Sequence, residues 1–560
     1  MTFRRLLARA LFLFGLGAAG PGSAYDGVLV GPRLGASTDF GQTSQPAVLA
    51  QSAFLPLSVF RDEIFWKEVE TDGGAFVFDN PRTTYPDLLP PFGAELMFLV
   101  NNPHRRHDGG TTPRSDAGAQ AFARYTVETL QRFPAIGIVE VGNEMNSETF
   151  AWGPGWDGAI ETRAANYVRL LIATARAVRM VRPDAEILGG AAHSIPIAWF
   201  REIFARGAAD YMDALVIHPY TVSPEQLARQ IALLRHEVPE AADLPIAVTE
   251  FGQTEVESAP DYLLKSYCQQ AISGVTWSVW YPLNDRGDGL AALLSPQGGL
   301  TPVGETFRFL RTAFEGRPVV DIAPDAFTYG CRFGADHMVL WGEPRDITLD
   351  ANVKALDPSG RPLPYSAAVR LSSDRPLILV SKKGKLRLGQ EVRLGPNGIL
   401  ADSWHQFGYP GAGGAHDPFE RVVRQNGMES PLIMRPGQER EGMPWTPYLG
   451  TDIDADARAS AEWVLPANPV TGPIEIVYRY RAIRAITATA EVRLTPWEGG
   501  VNLSVQLNGR VLHRADAAEN QTIALSGLAL MPGDVLEVVA GPNGSGGGAE
   551  LRVILRQADG

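Results

Sequence analysis

Two patterns of apolar positions divide the chain. From about residue 25 to 316, short apolar runs alternate with segments of helical periodicity. The runs are Val28–Gly35, Phe54–Phe60, Ala94–Val100, Ile136–Gly142, Ala185–Gly190, Asp213–His218, Leu244–Thr249 and Gly274–Tyr281. Most are continuous rather than alternating, as parallel strands buried on both faces require. Between them, Glu161–Val181 places Ala164, Val168, Leu171, Ala175 and Val178 at helical spacing, with Pro183 just beyond. Pro224–His236 follows Ser223, a candidate cap, and Val303–Ala313 closes the series. Eight strands with interleaved helices predict an α/β fold of the (β/α)8 barrel type. An open doubly wound sheet gives similar local signals, and the count of eight favours the barrel.

After residue 317 helical periodicity largely disappears. Short runs such as His337–Trp341, Ala368–Leu371, Leu377–Ser381, Ile474–Arg481, Val501–Leu507 and Val535–Ala540 alternate with Gly and Pro turns. This predicts all-β sandwiches, with a boundary near residue 396 separating 317–395 from 396–560. The Gly-rich 541–548 segment reads as a loop between the last two strands.

The N-terminus has a different pattern. Arg4, Arg5 and Arg9 precede the apolar stretch 10–19, and Gly22-Ser23-Ala24 supplies small residues for cleavage. Residues 1–24 therefore read as a secretory signal, and the protein is expected to be secreted or periplasmic. No later apolar stretch is long enough to span a bilayer. Removing those arginines takes the net charge from −13 to −16. That balance disfavours nucleic acid as a partner. The two cysteines, Cys268 and Cys331, are as compatible with one disulfide as with two buried thiols.

Barrel chemistry collects at the C-terminal ends of the strands. The fourth strand ends in Val141-Gly142-Asn143-Glu144-Met145, the seventh in Val248-Thr249-Glu250-Phe251-Gly252. Each delivers one carboxylate to the same mouth. Paired carboxylates are what glycoside hydrolysis needs: one protonates the leaving oxygen, the other attacks the anomeric carbon or activates water. The sixth strand ends in His218-Pro219-Tyr220, the second in Phe60-Arg61, and the eighth carries Trp277 and Trp280.

These strand ends resemble clan A of the glycoside hydrolases, retaining enzymes on (β/α)8 barrels. The likeness covers about residues 25–316. It implies that Glu144 is the acid/base, Asn143 the ligand of a sugar 2-hydroxyl and Glu250 the nucleophile. It also implies sugar or nucleophile contacts for His218 and Tyr220, and support of the nucleophile by Arg61, which has Glu140 as its alternative partner. The two tryptophans have opposite strand parity, so only one points inward, and Trp280 is the expected floor of the sugar site because it precedes the strand-end Tyr281 to Asp285 segment. Gly142 and Met145 depart from the Trp and Pro that flank the Asn-Glu pair in many clan members. The Glu250-Phe251-Gly252 end is similar to families 5 and 39. The barrel with following sandwiches is similar to family 39-like proteins of bacterial exopolysaccharide systems.

The expected activity is thus retaining hydrolysis of a polysaccharide or oligosaccharide, requiring no cofactor and no metal. Two other functions use the same features: a glycan-binding protein on a degenerate barrel, and a transglycosylase employing the same carboxylates. The basic loop from Asn101 to Asp108, with Arg105 and Arg106, makes a uronate a candidate substrate. In the C-terminal part, Trp404, His405, Phe407, Tyr409, Trp445, Tyr448 and Trp463 suit either a carbohydrate-binding module or a packed core. Asp452, Asp454 and Asp456 suit a polar strand face or a turn better than a calcium loop.

Overall fold

The computed structural model describes residues 28–558 apart from 365, 367, 413–416 and 545. The signal segment 1–24 lies outside the described residues. Eight parallel strands close into a barrel in sequence order: β1 (Arg33–Ser37), β2 (Val59–Asp62), β3 (Glu95–Val100), β4 (Ile136–Val141), β5 (Glu186–His193), β6 (Ala214–His218), β7 (Ile246–Phe251) and β8 (Val275–Trp280). Pairing of Gly35 with both Val59 and Val279 completes the ring.

The first two strands sit later in the chain than their apolar runs suggest. Val28 and Val30 are exposed, and Val30 and Gly31 instead bridge to Pro318 and Glu315 below the barrel. In the second run, 52–54 forms a short 3-10 turn with Phe54 exposed, and Pro56 delays the strand to Val59. The helices Ile160–Val181, Pro224–Glu237 and Pro302–Ala313 match expectation within a residue. Ser223 takes the N-cap position of the second but makes no capping hydrogen bond.

Strand parity organises the barrel interior into layers. Val59, Met97, Ile138, Leu188, Ala214, Val216, Ala247, Trp277 and Val279 form one apolar cluster. Two residues further along their strands, the same inward parity delivers Arg61 after Val59, Glu140 after Ile138, His218 after Val216 and Thr249 after Ala247. The interior thus passes from hydrocarbon to a buried polar layer just below the mouth.

Beyond the barrel, a five-stranded and a three-stranded sheet enclose a small core that includes Met338, Leu340, Ile347 and Leu379. An eight-stranded and a six-stranded sheet follow, built from strands between Ile399 and Gln557. A disulfide joins Cys268, on the helix Ala259–Ile272, to Cys331 in the first of these regions. The helix Pro224–Glu237 docks on both: Trp341 Nε1 donates to Glu225 (2.8 Å), and Gln230 Nε2 donates to the Tyr409 hydroxyl (2.7 Å).

Candidate active site

The turn after β4 is built around backbone that ordinary residues avoid. Gly142 has φ 88°, and a Cβ there would lie 2.4 Å from Met145 Cγ. Only glycine lets the buried Met145 fold back over the strand end. Glu144 itself adopts φ 45°, a strained conformation of the kind that clusters at functional sites. A second irregularity holds it. At the end of β5, Gly190 (φ 91°) and Ala191 (φ 41°) break the register with β6, and the Ala191 carbonyl accepts the Met145 amide at 2.8 Å.

Glu144 and Glu250 face one another across the mouth with His218 between them. One oxygen of each carboxylate and a His218 ring nitrogen all lie within 4.8 Å of one another. Arg61 ties the layers together. Its Nε and Nη2 grip Glu140 at 2.7 and 2.9 Å, Nη2 also donates to Asn143 at 2.9 Å, and Nη1 reaches Glu250 Oε1 at 2.5 Å. The two expected partners of Arg61 are therefore not alternatives; one planar fork serves both. The Tyr220 hydroxyl donates to the other Glu250 oxygen at 3.2 Å.

The hydrogen bonds fix the protonation of His218. Its Nδ1 meets Glu144 Oε1 at 3.0 Å, and its Nε2 meets Thr249 Oγ1 at 2.9 Å. Thr249 donates its one hydroxyl proton to Glu140 at 3.0 Å, so it accepts from His218. When Glu144 is ionised, Nδ1 donates as well, and a histidine donating from both nitrogens is an imidazolium with no lone pair for a metal ion. Burial alone would lower its pKa, but Glu250, Glu140 and Glu144 push it up to about 9. Burial would likewise raise Glu140, yet Arg61 and His218 hold it down to about 2. For Glu144, hydrogen bonds from His193 (3.1 Å) and His218 outweigh burial and keep the carboxyl below the usual range.

Six of the seven expected residues, Arg61, Asn143, Glu144, His218, Tyr220 and Glu250, therefore meet in one constellation. Trp280 does not. It points outward, fully buried against Phe251 at the end of β7 and Tyr262 of the helix Ala259–Ile272, and its indole donates to the Ala291 carbonyl at 2.8 Å. Trp277 has the inward parity but lies deep, below the polar layer, bound to Glu186. The aromatic that β8 brings to the mouth is Tyr281, the next inward position after Val279. It is half-buried, and Arg286 lies 5.2 Å from its ring centroid. Glu140, read from the sequence only as an alternative partner of Arg61, and Thr249 and His193, which motif reading missed, are further members. A lone Glu at inward parity inside an apolar run was a legible signal for the first; the β5 bulge concealed the last.

The basic loop is engaged elsewhere. Arg105 pairs with Asp72, and Arg106 lies 3.3 Å from Glu70 and donates to the Thr71 carbonyl. Glu70, His104 and His107 bring three ligand-type atoms within 4.8 Å, but Trp66 and His107 already occupy one Glu70 oxygen at 2.7 and 3.0 Å. Both arginines are thus already paired with residues 70–72, which weakens their support for a uronate substrate, while Asn101 at the start of the loop accepts the Asn143 amide at 3.1 Å. In the C-terminal part, His405, Phe407, Tyr409 and Tyr448 are buried in packing. Asp452 pairs with Arg435, and Asp454 accepts the Asp456 amide, as in a turn.

No family model and no curated protein matches this chain in sequence. Solved structures do. A family 39 glycoside hydrolase from the gut symbiont Bacteroides cellulosilyticus superposes with a TM-score of 0.52 at 16% identity, over 63% of this chain and 81% of its own. A family 39 β-xylosidase from Caulobacter crescentus gives 0.45 at 17% identity, over 65% and 98%. A family 39 enzyme from Xanthomonas axonopodis gives 0.44 at 13%, over 92% and 95%. The likeness to the first establishes a shared fold, in agreement with the barrel expected from the strand ends.

Proposed function

We propose that the protein is a retaining glycoside hydrolase, acting on a polysaccharide or oligosaccharide. The observation that carries this reading is the pair Glu144, in the turn after β4, and Glu250, on β7, with oxygens within 4.8 Å of one another. Retaining enzymes hold their carboxyl groups about 5–5.5 Å apart, whereas inverting ones leave about 6.5–9.5 Å for a water. Arg61 and Tyr220 fix the two oxygens of Glu250, so it is the aimed group and attacks the anomeric carbon. Both histidines address Glu144 Oε1, which leaves Oε2 to meet the glycosidic oxygen.

The acid proton belongs to the Glu144–His218 pair, which titrates as a unit. With substrate bound the proton sits on Glu144 Oε2, and it passes to the leaving oxygen as the glycosidic C–O bond breaks and the glycosyl–Glu250 ester forms. Glu144 then accepts a proton from water, which attacks the ester and releases the sugar. Asn143, held by Arg61, is positioned for the sugar 2-hydroxyl. Export fits the Cys268–Cys331 disulfide, since such bonds persist in oxidising compartments. The test is to screen purified protein on a polysaccharide panel for new reducing ends, alongside 4-nitrophenyl glycosides. Release that disappears in Glu250→Gln supports the reading; release that survives in both Glu144→Gln and Glu250→Gln overturns it.

A further inference from the structure

The last sandwich reaches into the barrel mouth. At one edge of its eight-stranded sheet, the strands Ile433–Arg435 and Tyr448–Gly450 form a hairpin with the loop 436–447. Three contacts tie this loop to the barrel. The Ile197 amide donates to the Pro436 carbonyl at 2.9 Å. Gln438 Nε2 donates to the Asn146 carbonyl at 2.6 Å, and Gln438 Oε1 accepts from Asn146 Nδ2 at 2.8 Å. The loop is shaped for that exchange. Gly437 and Gln438 have φ 77° and 56°, and the Gln438 amide donates to the Pro444 carbonyl at 2.7 Å. A long side chain rarely adopts left-handed backbone, and such strain persists only where the surroundings over-determine it.

Asn146 passes the contact on. It is fully buried, and its carboxamide pairs with the His193 backbone. Nδ2 donates to the His193 carbonyl at 3.1 Å, and Oδ1 accepts the His193 amide at 2.8 Å. The His193 ring lies between two aromatics. Tyr220 is nearly parallel to it with centroids 6.5 Å apart, and Trp445 of the sandwich loop meets it edge to face at 5.0 Å. Strand β5 does not set the aim of this ring alone, because its register with β6 shifts between Gly189 and Ala192, just before His193. The ring Nδ1 donates to Glu144 Oε1, the oxygen that also meets His218 Nδ1.

That bond decides which oxygen of Glu144 carries the acid proton. The Glu144–His218 pair shares the proton. When Glu144 takes it, His218 Nδ1 is left with a lone pair. A hydroxyl at Oε1 would then donate to His218 and face away from the substrate. A carbonyl oxygen is a better acceptor than a hydroxyl, so the N–H of His193 keeps Oε1 the carbonyl and the proton on Oε2. We propose that loop 436–447 belongs to the catalytic apparatus, with Gln438 and Trp445 as positioning residues that act on Glu144 through Asn146 and His193. The proposal rests on the hydrolase reading, in which Glu144 is the acid.

The test uses the full chain on a series of substituted phenyl glycosides of one sugar, from 4-nitrophenyl to unsubstituted phenyl. The leaving group grows more basic along the series while its size hardly changes, so kcat/KM tracks proton donation rather than sugar contacts. In Trp445→Ala and Gln438→Ala, kcat/KM for the phenyl glycoside should fall by about tenfold to a hundredfold, the cost of a slightly misplaced group, and by far less for the 4-nitrophenyl glycoside. Trp445→Phe, which keeps a ring against His193, should retain most of the parent's dependence on the leaving group. Gln438→Ala decides the matter where Trp445→Ala fails to fold. Equal losses along the whole series, or none, in folded variants overturn the proposal, since a packing role or a sugar contact lowers every member alike. A parent that cleaves neither this series nor the polysaccharide panel overturns the hydrolase reading, and the proposal falls with it.

Discussion

Two regions of this molecule bury the same chemistry and do different things with it. At the barrel mouth, Arg61, His218, Glu140, Glu144 and Glu250 form one network. Between the two β regions, Arg552 and Arg556 bind Glu343 at 2.5 and 2.9 Å, Arg552 binds Asp402 at 2.5 Å, and His405 lies 3.2 Å from Glu343. Carboxylates, histidine and guanidinium occur in both. The difference is access. The side chains of Glu144 and Glu250 keep 10% and 13% exposure, whereas Glu343, Asp402 and His405 keep 3%, 0% and 1%. At the mouth, a strained turn aims one carboxylate at open space. In the second cluster the groups are spent on one another and on Tyr329, whose hydroxyl meets His405 at 2.9 Å. Perturbed, clustered charges are therefore not enough to mark a site; they must also face somewhere a substrate can enter.

Substitutions should separate the two clusters sharply. Glu250→Gln should lower kcat/KM by about 10⁴-fold or more, the scale of a lost nucleophile. Glu144→Gln should cost about 10²–10⁴-fold, and less on aryl glycosides whose leaving group needs little protonation. Melting temperatures close to the parent's would assign both losses to chemistry. Glu343→Ala should behave in the opposite way. Breaking a buried ion pair costs about 3–5 kcal/mol, so denaturant midpoints should fall while kcat holds. A loss of kcat without a loss of stability would show that the second cluster is not merely structural.

The pH profile sharpens the same contrast. His218 is raised from 6.5 to about 9 among its carboxylates. Its charged form is favoured by folding, so that stabilisation is complete below 6.5 and is lost as pH rises through about 9. Activity should follow, with kcat/KM falling on an alkaline limb near 9 as the Glu144–His218 pair loses its proton. His218→Gln should remove or displace that limb along with part of the rate. A limb left in place by the substitution would assign the titration to another group.

Much of this was legible in the sequence, for identifiable reasons. Glu144 and Glu250 stood out because each ends a continuous apolar run, and parallel strands put all such ends on one face. Arg61, His218 and Tyr220 followed from the same rule. His193 was hidden because β5 runs on through the Gly189–Gly190 irregularity, past the apparent end of its apolar run. Trp445 was hidden because it reaches the mouth from a sandwich loop far along the chain, and no local pattern encodes that contact. The aromatic on β8 failed for a narrower reason. Parity says that Trp277 and Trp280 point opposite ways, but only the barrel register says which way is inward, and at what depth.

That last point yields the smallest and most discriminating prediction. If Trp280 were the floor of the sugar site, trimming it would raise KM. In this structure it lies under the helix Ala259–Ile272 with no exposed surface. Trp280→Phe should therefore lower the melting temperature, through lost packing and the lost bond to Ala291, while KM holds. Tyr281 occupies the inward position at the mouth, where burial, with Asp288 and Glu250, raises its phenol against the opposing charge of Arg286. Of the β8 aromatics, its ring is the one placed to stack on a sugar, a contact of about 0.5–1.5 kcal/mol by analogy with aromatic pairs, or about two- to tenfold in affinity. Tyr281→Ala should raise KM by that factor with a smaller effect on stability. The opposite pattern, with KM following Trp280 and not Tyr281, would mean that β8 turns its other face to the substrate.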